Sequence, residues 1–229
     1  MASPSTSTTP PPTKYAVVLF PGFQALDVFG PLDILNTLSR THPLSLSLLA
    51  ATMDPVSTNT SDASAFSEAI LPTHTFATAP SDIEVLLVPG GSGTRDAANI
   101  APAVQFVADV FPQLQYLVTV CTGSALVAKT GVLNGRRATT NKKAWTWATS
   151  QGPAVHWVAK ARWVTDGKIW SSSGVAAGID VTYAFVAAMY GDDMAQELAD
   201  GVEYVRNTDA SNDPFAERWG VVQPQPQPE

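Results

Sequence analysis

The stretch YLVTVCTGSALVAKTG, residues 116–131, decides the fold. Tyr116 to Val120 is a short apolar run with β-branched residues, the pattern of a parallel strand buried on both faces. Ala125 to Lys129 reads as a helix, stopped by Gly131. Between them, Cys121-Thr122-Gly123-Ser124 must turn strand into helix, and Cys121 is the single cysteine of the chain. At such a turn its sulfur points toward the N-terminus of the next helix, where about half a positive charge and free N–H groups favour an anion. This is the nucleophile-elbow arrangement with sulfur in place of oxygen. An ordinary thiol with a pKa of ~8.5 is only a few per cent thiolate at pH 7, and helix N-termini can lower that pKa to ~3.5–7.5. Cys121 is therefore expected to be an activated nucleophile, the alternative being a small buried hydrophobe.

The same strand–loop–helix unit recurs toward the N-terminus. Lys14 to Phe20 is an apolar strand ended by Pro21-Gly22, and a helix is expected over about Gly30 to Ser39 with Pro31 in its first turn. Leu44 to Leu49 alternates as a half-covered strand does, and Ser57 to Ser64 reads as a loop. Ile83 to Val88 is another apolar strand, followed by Pro89-Gly90-Gly91-Ser92-Gly93 and a helical stretch from Pro102 to Phe111. Three such units imply an α/β fold: a parallel sheet with right-handed crossovers and helices on both faces. Further on, Val158 to Trp163 and Lys168 to Ser171 form a hairpin through Asp166-Gly167, and Ile179 to Tyr190 and Asp193 to Tyr204 read as helices.

One core is expected between two tails. Residues 1–13 are rich in Ser, Thr and Pro, and the end from Gln223 repeats Gln-Pro; both lack the apolar content that offsets ordering entropy. The expected domain runs over residues 14–208, with 209–229 as a C-terminal extension. A net charge of -7 without basic clusters argues against nucleic acid or an anionic membrane surface and favours a small neutral or apolar substrate. No segment reaches ~18 uninterrupted apolar residues and no basic start precedes an apolar run, so a cytosolic location is the default. His42, His74 and His156 are scattered and make no metal-ligand spacing.

In open α/β sheets ligands bind beyond the carboxyl ends of the strands, so the loops after Phe20, Val88 and Val120 should converge on one crevice. Gly90 and Gly91 either form an ordinary turn or present bare amides as an oxyanion hole, where one donor contributes roughly 3 kcal/mol. Asp27, an acid among apolar residues ahead of a helix, is either an N-cap or an acid–base group with a raised pKa. Asp33 and Asp180 suit solvent-facing and capping roles. Trp145, Trp147, Trp157, Trp163 and Trp170 suit core packing or a dimer face better than an aromatic substrate wall.

Five motifs in order, Leu26-Asp27-Val28-Phe29-Gly30-Pro31, Val88-Pro89-Gly90-Gly91, Val120-Cys121-Thr122-Gly123-Ser124, Arg137-Ala138-Thr139-Thr140 and Ala177-Gly178-Ile179-Asp180, make the chain resemble the PfpI/ThiJ superfamily, and within it the isocyanide hydratase branch. The resemblance covers about residues 14 to 205. It implies a flavodoxin-like three-layer sandwich, a homodimer and no cofactor. It makes Cys121 the nucleophile, Asp27 its acid–base partner, Thr122 a site neighbour, and Gly90 and Gly91 the amide donors. Asp rather than Glu at position 27 points to the hydratase branch, hence to hydration of an isonitrile to an N-formamide through a thioimidate. One position departs: Asn141 stands where the superfamily commonly has His after the Thr pair, which argues against a Cys–His pair. The other readings are a PfpI-like enzyme acting on a carbonyl substrate, such as a 2-oxoaldehyde or a specialised metabolite, and a redox-sensing domain built on the same thiol.

Overall fold

The computed structural model describes residues 10–60, 65–221 and 223. Strand β1 (Lys14–Val18) leads through Pro21-Gly22 into α1 (Ala25–Leu38). Strand β2 (Ser45–Ala50) pairs parallel with β1, the short strands β3 (Val56–Ser57) and β4 (Ala69–Ile70) form a side hairpin, and β5 (His74–Thr75) extends the sheet beyond β2. The second unit is β6 (Val85–Val88) and α2 (Ala97–Val110); the third is β7 (Tyr116–Thr119) and α3 (Gly123–Ala128). A short parallel pair, β8 (Arg137–Ala138) and β9 (His156–Trp157), flanks α4 (Trp145–Ser150). The hairpin β10 (Trp163–Asp166) and β11 (Ile169–Ser172) precedes α5 (Ala177–Tyr190), α6 (Asp192–Gly201) and α7 (Pro214–Arg218).

The seven-stranded sheet has the order β10-β11-β7-β6-β1-β2-β5, and only β10 is antiparallel. This is the expected flavodoxin-like α/β sandwich, a mostly parallel sheet flanked by helices. The central strands are mostly apolar where the sheet is deepest: Ala16, Val17, Val18, Leu86, Val88 and Leu117 are all fully buried, as two-sided cover by helices requires, and Thr119 is a buried polar residue at the end of β7. Gly178 lies against Val120, where an added Cβ would meet a methyl carbon at 2.6 Å, so α5 can approach the strand only as glycine allows. Among the described residues no helix is long and apolar enough to cross a membrane.

Several boundaries differ from expectation, each for a physical reason. Helix α1 starts at Ala25, five residues before the expected Gly30, and carries Pro31 inside it; the buried row Asp27, Val28, Pro31, Ile34, Leu35 and Leu38 keeps the longer helix on the sheet. Asp27 is therefore not the N-cap, a position held by Gln24. Helix α2 starts at Ala97, before Pro102, because Asp96 caps it by accepting from the amides of Ala98 and Asn99 at 2.9 and 3.3 Å. The hairpin is shorter on its first side, since Val158 N donates to Ala138 O at 2.8 Å and joins the side pair instead. Of the two tails, residues 1–9, 222 and 224–229 lie outside the described residues. Thr13 N donates to Glu84 Oε2 at 2.5 Å, and Gln223 accepts from Ala159 N at 2.9 Å.

Candidate active site

Cys121 follows β7 with φ +57°, a left-handed backbone that a non-glycine residue adopts only under constraint. The constraints are visible. Its amide donates to Ser173 O at 3.0 Å, and its carbonyl accepts from the hydroxyls of Ser124 and Thr140, both at 3.1 Å. Three segments that the sheet brings together thus hold the elbow, with the side chain aimed at the carboxyl ends of the strands.

The sulfur sits against Asn141, whose Nδ2 donates to Sγ at 3.2 Å. Asn141 Oδ1 accepts from Ala144 N at 3.0 Å, which fixes the amide with its NH2 toward sulfur. Backbone amides of Thr122 and Val175 also reach the sulfur. The residue is only 6% exposed, and Asp27 lies close by. Burial, then the Asp27 charge, push the Cys121 thiol up to about 12, and the hydrogen bonds from Thr122, Asn141 and Val175 do not offset them. Burial and the Asp27 charge thus oppose the lowering expected from the end of α3, a helix of six residues.

Asp27 is 2% exposed. Burial pushes its carboxyl up to about 7, against the opposing effects of the Gly90 amide and the Cys121 thiol. Its Oδ2 accepts from Gly90 N at 2.8 Å. Its Oδ1 has no partner by strict hydrogen-bond geometry, although the thiol is near enough to favour the carboxylate. Two neighbouring acids, both pushed upward chiefly by burial, titrate as a coupled pair rather than one by one.

The glycine loop does something other than what its composition suggests. Gly90 N is taken by Asp27, and Gly91 N donates to Thr122 Oγ1 at 3.0 Å, so neither amide is a bare oxyanion donor. Thr122 Oγ1 and Thr94 Oγ1 are hydrogen-bonded at 3.1 Å, and Thr94 Oγ1 donates to Gly91 O at 2.7 Å, so the Thr122 side chain ties down this loop while its amide favours the charged sulfur. Glycine is needed because of close approach: a Cβ on Gly90 would lie 2.5 Å from Thr122 N, and Gly91 has φ +137°. The donors that surround sulfur are instead Thr122 N, Val175 N and Asn141 Nδ2. Asn141 was visible as a departure from the superfamily pattern; Val175 carried no sequence signal because it acts through its amide.

Other candidates fall away from the sulfur. Asp180 is buried at the start of α5, accepting from Arg162 Nε at 2.8 Å and Tyr204 OH at 2.7 Å, so it supports the fold. Trp145, Trp157 and Trp163 are buried in the core, and Trp170 packs edge-on against Phe185. Behind the site lies an ion pair that sequence reasoning missed: Lys142 and Asp213, both buried, are 3.5 Å apart. Asp213 Oδ2 accepts from Ser173 Oγ at 2.7 Å, next to the carbonyl that holds the Cys121 amide. Next to Asn141 and Val175 opens a cavity of about 270 Å3.

A flavodoxin-like sandwich with a strained cysteine at the strand end and a buried acid beside it defines a class of proteins, and the chain belongs to it: residues 13–188 match the DJ-1/PfpI family. Among curated relatives, the chain is 31% identical over 187 residues to an isonitrile hydratase of Pseudomonas putida, across 82% of this chain and 76% of that protein. Among solved structures, a ThiJ/PfpI family protein from Pseudomonas syringae superposes with a TM-score of 0.74 at 30% identity, over 90% of this chain and 83% of the other. Drosophila melanogaster DJ-1beta shares the fold at a TM-score of 0.70 and 19% identity, over 85% and 99% of the two chains.

Proposed function

We propose that the protein hydrates an isonitrile, R–NC, to the N-formamide, R–NH–CHO, through a covalent thioimidate on Cys121. The observation that carries this reading is the pairing of a buried thiol with a single buried carboxyl, Asp27, and no histidine at the sulfur. Similarity to the P. putida isonitrile hydratase supports it. Sulfur attacks the terminal isonitrile carbon as Asp27 takes the thiol proton; an S–C bond forms, and that proton passes to the carbon, giving R–N=CH–S. Asp27, again a carboxylate, accepts a proton from water as its oxygen adds to the same carbon. The nitrogen gains that proton; as the C–S bond breaks, the added hydroxyl becomes the formyl carbonyl and gives its own proton through Asp27 to sulfur, so the thiol is restored with one water consumed. An acid near pH 7 suits both transfers because donor and acceptor forms are both populated there. Thr122 N, Val175 N and Asn141 steady the charge on sulfur when it attacks and when it leaves.

The redox-sensing reading is disfavoured by a thiol that is buried and pushed up, since oxidation follows thiolate character and exposure. The experiment is turnover of aryl and alkyl isonitriles by wild type and Cys121→Ala, with intact-mass measurement. We expect formamide from wild type only, and a trapped adduct equal to the mass of the isonitrile. Untouched isonitrile and no adduct on Cys121, with 2-oxoaldehydes consumed instead, would overturn it in favour of carbonyl chemistry.

A further inference from the structure

The cavity beside the sulfur is closed on one side by residues beyond the family-matched region. Helix α7 starts at Asp213, whose Oδ1 accepts from Phe215 N at 3.0 Å, while Oδ2 accepts from Ser173 and faces Lys142. Arg162 N donates to Ala210 O at 2.7 Å, so the segment leading into α7 is also tied to the start of the hairpin. Despite this anchoring, Phe215 and Trp219 remain 38% and 49% exposed, and both line the cavity. Two large rings held open to solvent by a buried ion pair have not been used to make core.

The lining also includes Asn141, whose Nδ2 donates to Sγ, and Val175, whose amide favours the charged sulfur, so the cavity borders on residues that adjoin Cys121. Its charge is one-sided. Lys142, Lys143 and Arg162 line it, and among the described residues no carboxylate does. Lys142 is matched by Asp213, and Arg162 by Asp180 at 2.8 Å. Lys143 is exposed, with its ammonium 5.6 Å from the Trp219 ring centroid, and no ion pair engages it among the described residues. An aromatic surface beside an uncompensated cation is complementary to an aromatic anion.

Building on the isonitrile reading, we propose that the substrate is an aromatic isonitrile bearing a carboxylate, its ring against Phe215 and Trp219, its carboxylate at Lys143, and its isonitrile carbon at Cys121. This departs from the neutral substrate suggested by the chain's overall negative charge, because the local field of a cavity, not the net charge, governs what enters it.

The test compares para-isocyanobenzoate with phenyl isonitrile. Wild type should favour the carboxylated compound in kcat/KM by about fivefold, mostly through KM, as expected of a partly exposed charge pair, and Lys143→Glu should lower that preference on the order of tenfold. Phe215→Ala and Trp219→Ala should raise KM for both aryl compounds more than for methyl isonitrile. A wild-type preference for the neutral compound, or a ratio that Lys143→Glu leaves unmoved, would overturn the proposal. Calorimetry of para-formamidobenzoate and formanilide on Cys121→Ala protein separates the two readings. If no isonitrile is turned over but the carboxylated formamide binds more tightly and loses that advantage in Lys143→Glu, the hydratase reading fails and the anion site stands. Equal binding of the two formamides overturns the anion site whatever the turnover.

Discussion

Asp27→Asn is the substitution with the most to reveal, because it keeps the shape of the side chain and removes only its charge and proton. The Oδ oxygen that accepts from Gly90 N at 2.8 Å survives as an amide oxygen. Loss of the acid that lies beside the sulfur among the described residues should lower turnover by about 100- to 10,000-fold, the range of a positioned acid–base group. The stability effect has the opposite sign. Asp27 ionises near 3.8 when unfolded and near 7 when folded, so between those values the native state binds more protons and wild-type stability falls as pH rises. From pH 5 to pH 7 that amounts to about 2 kcal/mol at 1.36 kcal/mol per unit, because the folded carboxyl is already half ionised at the upper end. Asn does not titrate, so its variant should gain on wild type by about that amount over the same interval, as read from urea unfolding. A constant cost of about 1–3 kcal/mol is expected at every pH if the new NH2 finds no acceptor at the place of the unpartnered Oδ1. The Cys121 thiol should also titrate lower, because the second cause of its rise is gone while burial remains; the pH profile of iodoacetamide alkylation reads this directly. Parallel pH–stability curves for the two proteins, or an unmoved alkylation profile, would refute the account of Asp27 as a buried carboxyl coupled to the thiol.

Two further substitutions probe the supports of the site. Gly90→Ala places a Cβ 2.5 Å from Thr122 N and 3.0 Å from Asp27 Oδ2, so a loss of about 1–3 kcal/mol is expected together with a fall in kcat, checked by thermal unfolding and initial rates. Asp213→Ala leaves the Lys142 ammonium buried without its counter-charge and should cost about 3–5 kcal/mol at pH 7. Burial already holds Lys142 down to about 8 against 10.5 when unfolded, so the folded state binds fewer protons and the loss should shrink as pH rises toward 10. Unfolding curves for Asp213→Ala at pH 7 and pH 9.5 test the sign, and a loss that does not change with pH contradicts it.

The order of the β-α units, the parallel sheet and the placing of Cys121 at a strand end could all be read from sequence, because two-sided burial leaves an apolar run and a tight turn leaves Gly, Ser and Thr in a local pattern. The same local pattern marked Asp27 and Gly90 as site residues but not their relationship: that the Gly90 amide holds the Asp27 carboxyl depends on a helix start and a loop 63 residues apart in the chain. The upward push on the thiol was not legible in sequence because the helix end is a local feature, whereas desolvation and the Asp27 charge are set by everything packed around sulfur. The tryptophans at 145–170 mostly fill the core, as their reading favoured, whereas Phe215 and Trp219, which line the cavity, lie in the C-terminal extension and carried no such signal. What the sequence by itself determined is the architecture and the place of Cys121 at a strand end, since both follow from patterns a few residues long. What only the tertiary structure decided is the surroundings of that sulfur, the duties of the glycine amides and the wall of the cavity, since electrostatics and shape sum over residues that the chain brings together only when it folds.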